Sequence, residues 1–208
     1  MADLNLQEIH DALVAIAYEA GKMILAANPS DIDQGTKLNS PTPFGAVDIV
    51  TEADQAVEKM VSTRLREAYP SVAFMGEETY KPGTRVGPEP TFIVDPIDGT
   101  TNFVHSFPAA CISLGLAVDR VPEIGLAHVA AGQTDVYWEG GCWAWDVCAG
   151  WCLLTEAGGI MASGNPGNWE PELDGRLYLA VRGAPSGQRE LVEEFWAAMG
   201  DHRMDYSV

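Results

Sequence analysis

The stretch FIVDPIDGTTNFVHSFP, residues 92–108, places two aspartates three positions apart in a glycine- and threonine-rich turn, directly after an apolar run. So close together, Asp95 and Asp98 repel. Either the turn faces solvent and the repulsion is screened, or a cation sits between them. The flanks indicate the fold: TFIVD (91–95) reads as a buried strand, and CISLGLAV (111–118) as another.

Outward from this turn, helices alternate with short strands. Asn5 caps a helix with Glu8 at its third position, and Leu6, Ile9, Leu13, Ile16, Ala17, Ala20 and Ile24 recur at helical spacing. Residues 28–46, punctuated by Pro, Gly, Ser and Asn, read as a loop. Thr51, with Asp54 three residues on, opens a second helix whose apolar face is Val57, Met60, Val61 and Leu65. VAFM (72–75) reads as a strand running into Gly76-Glu77-Glu78, and TDVYWE (134–139) as another. A helix follows from about Trp145 to Ala157, then the strand RLYLAVRG, then a last helix capped by Ser186. This alternation predicts a layered α/β fold.

Composition narrows the function. Thirty acidic residues against twelve basic give a formal charge of -18, a field that repels a phosphate backbone and argues against nucleic-acid binding. A phosphorylated small molecule would need metal ions to reverse that field locally. No apolar run reaches the roughly 18 residues of a membrane span, and the N-terminal sequence does not read as a secretory signal. Cys111, Cys142, Cys148 and Cys152 show no CxxC spacing, which suits buried thiols in a reducing, cytoplasmic setting.

Four carboxylates fall at element ends: Glu77, Asp95, Asp98 and Asp146. Strand ends converge in a layered α/β fold, and ligands bind in the crevice outside them. Packed together, these groups repel unless hard cations, Mg²⁺ above all, sit among them. Gly99-Thr100-Thr101 then offers free N–H groups to phosphate oxygens. The Thr100 hydroxyl could place a water whose proton Glu77 accepts. The implied chemistry is hydrolysis of a phosphate monoester. Each piece also has a plain reading: a surface turn for DPIDG, a solvated turn for GEE, a helix-start charge for Asp146. His105 reads as structural or solvent-facing, and Trp138, Trp143, Trp145 and Trp151 as core and pocket wall.

Taken together, GEE (76–78), DPIDGTTNF (95–103) and WDVCAGWCLLTEAGG (145–159), with VDIVTEADQAVEKM (47–60), resemble the inositol monophosphatase family of magnesium-dependent, lithium-sensitive phosphatases. The resemblance implies a truncated αβαβα sandwich of the sugar-phosphatase type. Residues 1–118 would form a metal-binding α/β portion and residues 119–208 a shortened C-terminal α/β portion. It implies that Glu77 binds a metal and helps activate water, and that Asp95 bridges two ions. The Ile97 carbonyl would complete one metal site, and Asp98 and Asp146 would hold the second ion. Gly99 and Thr100 would meet the phosphate, Glu139 a substrate hydroxyl, Asp48 and Thr51 would form an outer pair, and Lys37 would support the metal site. A homodimer is a further implication.

One departure accompanies the match. Where the family continues through more strands and a helix, Gly125 here joins Leu126 directly, so a middle block is absent. The shorter chain must repack, gain a partner or fold poorly. Three functions follow: an inositol monophosphate phosphatase using Mg²⁺; an inactive or weakly active truncated isoform that retains metal binding or associates with a full-length relative; and a nucleotide or sugar bisphosphate phosphatase.

Overall fold

The computed structural model describes residues 4–27, 34–36, 49–107, 110–118 and 127–206. Two helices open the chain: α1 (Leu6–Ala26) and, after the strands β1 (Gln34–Thr36) and β2 (Ile49–Thr51), α2 (Glu52–Ala68). Then come β3 (Ala73–Gly76), β4 (Thr91–Asp98), α3 (Thr100–Val104) and β5 (Cys111–Ala117). The chain ends with α4 (Ala127–Ala130), β6 (Val136–Gly140), α5 (Ala144–Glu156), β7 (Ile160–Ser163), β8 (Leu177–Val181) and α6 (Gln188–Met199).

Local chemistry sets most boundaries. Asn5 accepts the Glu8 N–H at 3.3 Å to start α1. Thr51 and Asp54 form a full capping box at α2: the Asp54 N–H donates to Thr51 Oγ1, and Asp54 Oδ2 accepts the Thr51 N–H at 2.9 Å. Two expectations need correction, and the strand at residues 160–163 was not expected. Residues 34–36 are not loop but pair antiparallel with Ile49–Thr51. Ile160–Ser163 forms a strand, although it follows a glycine pair and is only four residues long. Gly187, in the left-handed region at φ 89°, is the N-cap of α6, because Gly adopts that backbone without the Cβ clash that Ser186 would meet.

The layers follow from which strands are buried on both faces. In the sheet β3-β4-β5, β3 pairs parallel and β5 antiparallel with the central β4. Phe92 and Val94 of β4 face one way, into a core with Ile9, Ile16, Val57, Val61 and Leu65 of α1 and α2. Ile93 faces the other, into a core with Val147, Cys148, Trp151 and Leu154 of α5. The second sheet, β6-β8-β7, repeats this. Tyr178 and Ala180 of β8 join the α5 core, whereas Leu179 and Val181 pack with Val192 and Trp196 of α6. Two-sided burial of this kind gives β4 and β8 their continuous apolar runs. Helices, sheet, α5, sheet, helix: the order is αβαβα.

Beyond β6, Arg176 is buried with its guanidinium 3.7 Å from the Trp143 ring centroid, donating to Gly141 O at 2.5 Å and to Tyr206 O at 3.2 Å. Arg176→Met keeps bulk but removes these donors and the cation–π contact. It is expected to cost about 2–4 kcal/mol in urea denaturation.

Candidate active site

Along a strand, side chains three apart point to opposite faces. Asp95 and Asp98 escape that rule because the β4–β5 register shifts between them: Asp95 pairs with Ser113 and Asp98 with Cys111. Such an irregularity re-aims a side chain, and Pro96, which has no N–H to give the ladder, sits inside it. Asp146 arrives from α5, where as third residue it accepts the Trp143 N–H at 2.5 Å. One carboxylate oxygen from each of Asp95, Asp98 and Asp146 lies within 4.8 Å of the others.

Glu77 comes to the same place from β3. Its N–H donates to Val94 O at 3.0 Å, extending the parallel pairing and setting Glu77 beside Asp95. Burial pushes the Asp95 carboxyl well above its usual range, and the charges of Glu77, Asp146 and Asp98 add to the shift. Asp146 is pushed up to about 8. Burial is the main cause, opposed by the Trp143 N–H and reinforced by Glu77, Asp98 and Glu139. Among the described residues, buried Asp95 Oδ1 has no hydrogen-bond partner and no ion pair reaches Asp95, Asp98 or Asp146. Converging carboxylates with no counter-charge among the described residues and an unsatisfied buried oxygen fit a hard cation, so the cluster can hold a metal ion.

Gly99 follows at φ 85°, a conformation that favours glycine, and caps the short α3. Thr100, its first residue, donates its hydroxyl to Ile97 O at 3.1 Å and lies 3.4 Å from Asp54 Oδ1. The Ile97 carbonyl therefore stands beside Thr100, while the Ile97 side chain is fully buried. Thr51 is buried at the α2 cap, where its hydroxyl donates to Asp54 Oδ2. Glu139 sits on β6, and its charge contributes to the raised Asp146 value. His105 is exposed at the end of α3. Lys37 and Asp48 lie outside the described residues.

Sequence reading missed two groups. Asp54 reads locally as a cap, yet it is fully buried and also meets Thr100. Tyr137 lies two residues before Glu139, hence on the same face of β6, and donates its hydroxyl to Glu139 Oε2 at 2.8 Å. The period of two was the available signal. Trp143 and Trp145 contribute to a separate cavity of about 360 Å³ by the start of α5, lined also by Tyr80 and Arg176. None of the clustered carboxylates lines it.

The sequence pattern of the Inositol monophosphatase family matches residues 5–128 and 123–203, two pieces that meet at the Gly125–Leu126 join. Inositol monophosphatase 2 of Saccharomyces cerevisiae is 36% identical over 239 residues, covering 72% of this chain and 82% of that protein. Inositol monophosphatase 1 of the same yeast is 31% identical over 293 residues, covering 96% of this chain and 98% of that protein. That alignment is longer than the 208-residue chain, so the relative carries internal residues without a counterpart here. Among solved structures, the extragenic suppressor protein suhB from Bartonella henselae superposes with a TM-score of 0.72. It is 21% identical and covers 93% of this chain and 99% of its own. Matched along most of its length by the family pattern and by a relative more than 30% identical, the chain belongs to the inositol monophosphatase family.

Proposed function

We propose that the protein hydrolyses a small phosphate monoester, inositol monophosphate first among candidates, with Mg²⁺ as its cofactor. The observation that carries this reading is the convergence of Asp95, Asp98 and Asp146 with no counter-charge among the described residues. Glu77, Asp95, Asp98, Asp146 and the Ile97 carbonyl would hold the ions. When bound, divalent cations neutralise the carboxylates, stabilise phosphoryl oxygens and make water a better nucleophile.

This chain's own residues then have defined tasks. Thr100, its hydroxyl tied to Ile97 O and near Asp54, would use its remaining lone pair to orient the attacking water. Glu77 would take that water's proton. The Gly99 and Thr100 backbone would meet the phosphate, and Glu139, held by the Tyr137 hydroxyl, would accept from a hydroxyl of the leaving alcohol. Lys37, Asp48 and Thr51 are assigned supporting roles. We further propose residues 1–118 as the metal-binding portion and 119–208 as a shortened second portion.

Purified protein given Mg²⁺ and inositol 1-phosphate should release inorganic phosphate. No release from folded, metal-loaded protein overturns the reading and favours a metal-binding form without turnover, the alternative suggested by the absent middle block. Glu139→Gln should raise KM for inositol 1-phosphate about tenfold, the size of one hydrogen bond to a charged acceptor. It should leave hydrolysis of an aryl phosphate lacking that hydroxyl within about twofold, as expected for a group that touches only the alcohol.

A further inference from the structure

Glu58, on α2, has no part in the site described above, yet it is only 2% exposed. Its Oε2 accepts the Glu78 N–H at 2.7 Å. Its Oε1 is buried with no hydrogen-bond partner, so among the described residues that single N–H is the bond recorded for a buried carboxylate. The carboxylate also lies flat on Gly76. A Cβ built there would come within 2.5 Å of Glu58 Cδ and 2.9 Å of Oε1, closer than such atoms approach. Gly76 and Glu78 flank Glu77, and Glu77's own N–H is held by Val94 O of β4.

We infer that Glu58 is a positioning residue: by gripping the Glu78 N–H against a bare Gly76, it fixes the backbone turn that aims Glu77 at Asp95. This rests on the water-activating and metal-binding role proposed for Glu77. One turn earlier on the same helix, Asp54 meets Thr100, so α2 places a buried carboxylate beneath each member of the proposed water-activating pair. Burying a carboxylate for one N–H is costly, since a neutral acceptor would satisfy that donor with less desolvation.

The test uses the full chain with Mg²⁺ and inositol 1-phosphate, and calorimetric titration with Mg²⁺ alone. Glu58→Ala should lower kcat about 100-fold, the cost of misplacing a catalytic group by an ångström or so, with KM within about threefold. It should also weaken Mg²⁺ binding about tenfold, as loss of a residue supporting a ligand does. Glu58→Gln keeps an acceptor for the Glu78 N–H and should restore both to within about threefold of native. Gly76→Ala, which pushes the carboxylate away, should reproduce the Glu58→Ala loss but add little in the Glu58→Ala background.

Glu58→Gln falling as far as Glu58→Ala, or additive losses in the double variant, would overturn the inference. If Glu58→Ala does not fold, Gly76→Ala against Glu58→Gln decides by the same criteria. A native protein that binds Mg²⁺ but releases no phosphate defeats the phosphatase reading alone. Unchanged Mg²⁺ affinity in Glu58→Ala and Gly76→Ala defeats the positioning role alone.

Discussion

Asp95→Asn is expected to abolish phosphate release, by about 10³-fold or more, and at the same time to make the cation-free protein more stable. The two effects share a cause. Asp95 is 3% exposed, one of its oxygens has no partner among the described residues, and Glu77, Asp146 and Asp98 all press their charges on it. Asparagine keeps the shape and removes the charge, so the fold gains what the site loses. In excess chelator at pH 8, the thermal midpoint should rise by about 3–8 °C, equivalent to about 1–2 kcal/mol for a chain of this size. With saturating Mg²⁺ the order should reverse, because only the native carboxylate gains from the ion. A midpoint lowered in chelator would mean that the charge is already balanced within the protein.

The second large effect is on pH dependence. Asp146 has a folded value of about 8 against 3.8 unfolded, so between these limits the folded state keeps a proton that the unfolded state has lost. Stability from this group is therefore greatest below about pH 4 and declines as pH rises, by up to about 1.4 kcal/mol per unit, levelling off above about 8. Asp95, shifted in the same direction, adds to the decline. Without divalent cation the thermal midpoint should drop steadily from pH 5 to 8. Saturating Mg²⁺ should flatten the profile, since the ion binds the deprotonated groups and expels their protons. Asp146→Asn should remove part of the slope in chelator. A profile that rises with pH in chelator would contradict the like-charge account.

The fold was legible wherever a signal was local. The Thr51–Asp54 box, the glycine stop after Glu156 and the apolar runs of β4 and β8 all encode their structures within a few residues. The strands that escaped, β1, β2 and β7, are only three or four residues long, too short for periodicity to declare itself. At the site, the acidic residue types and their places at element ends pointed to convergence. The register shift that lets Asp95 and Asp98 share a direction belongs to the pairing with β5, which lies beyond the reach of β4's own sequence. Asp54 illustrates the same limit: its capping role is local, while its approach to Thr100 joins residues 46 positions apart.

Helix α5 carries Asp146 in its first turn and spends its length wedged between two sheets, with Cys148 against Gly115 of β5 and Leu154 against Gly159 just before β7. Looseness in the far sheet should therefore be felt at the end of α5 that carries Asp146. Trimming Met161, which lies in the same core, should register as weakened cation uptake well below the temperature at which the chain melts. Ion affinity would then serve as a remote gauge of how tightly the far half of the molecule is assembled.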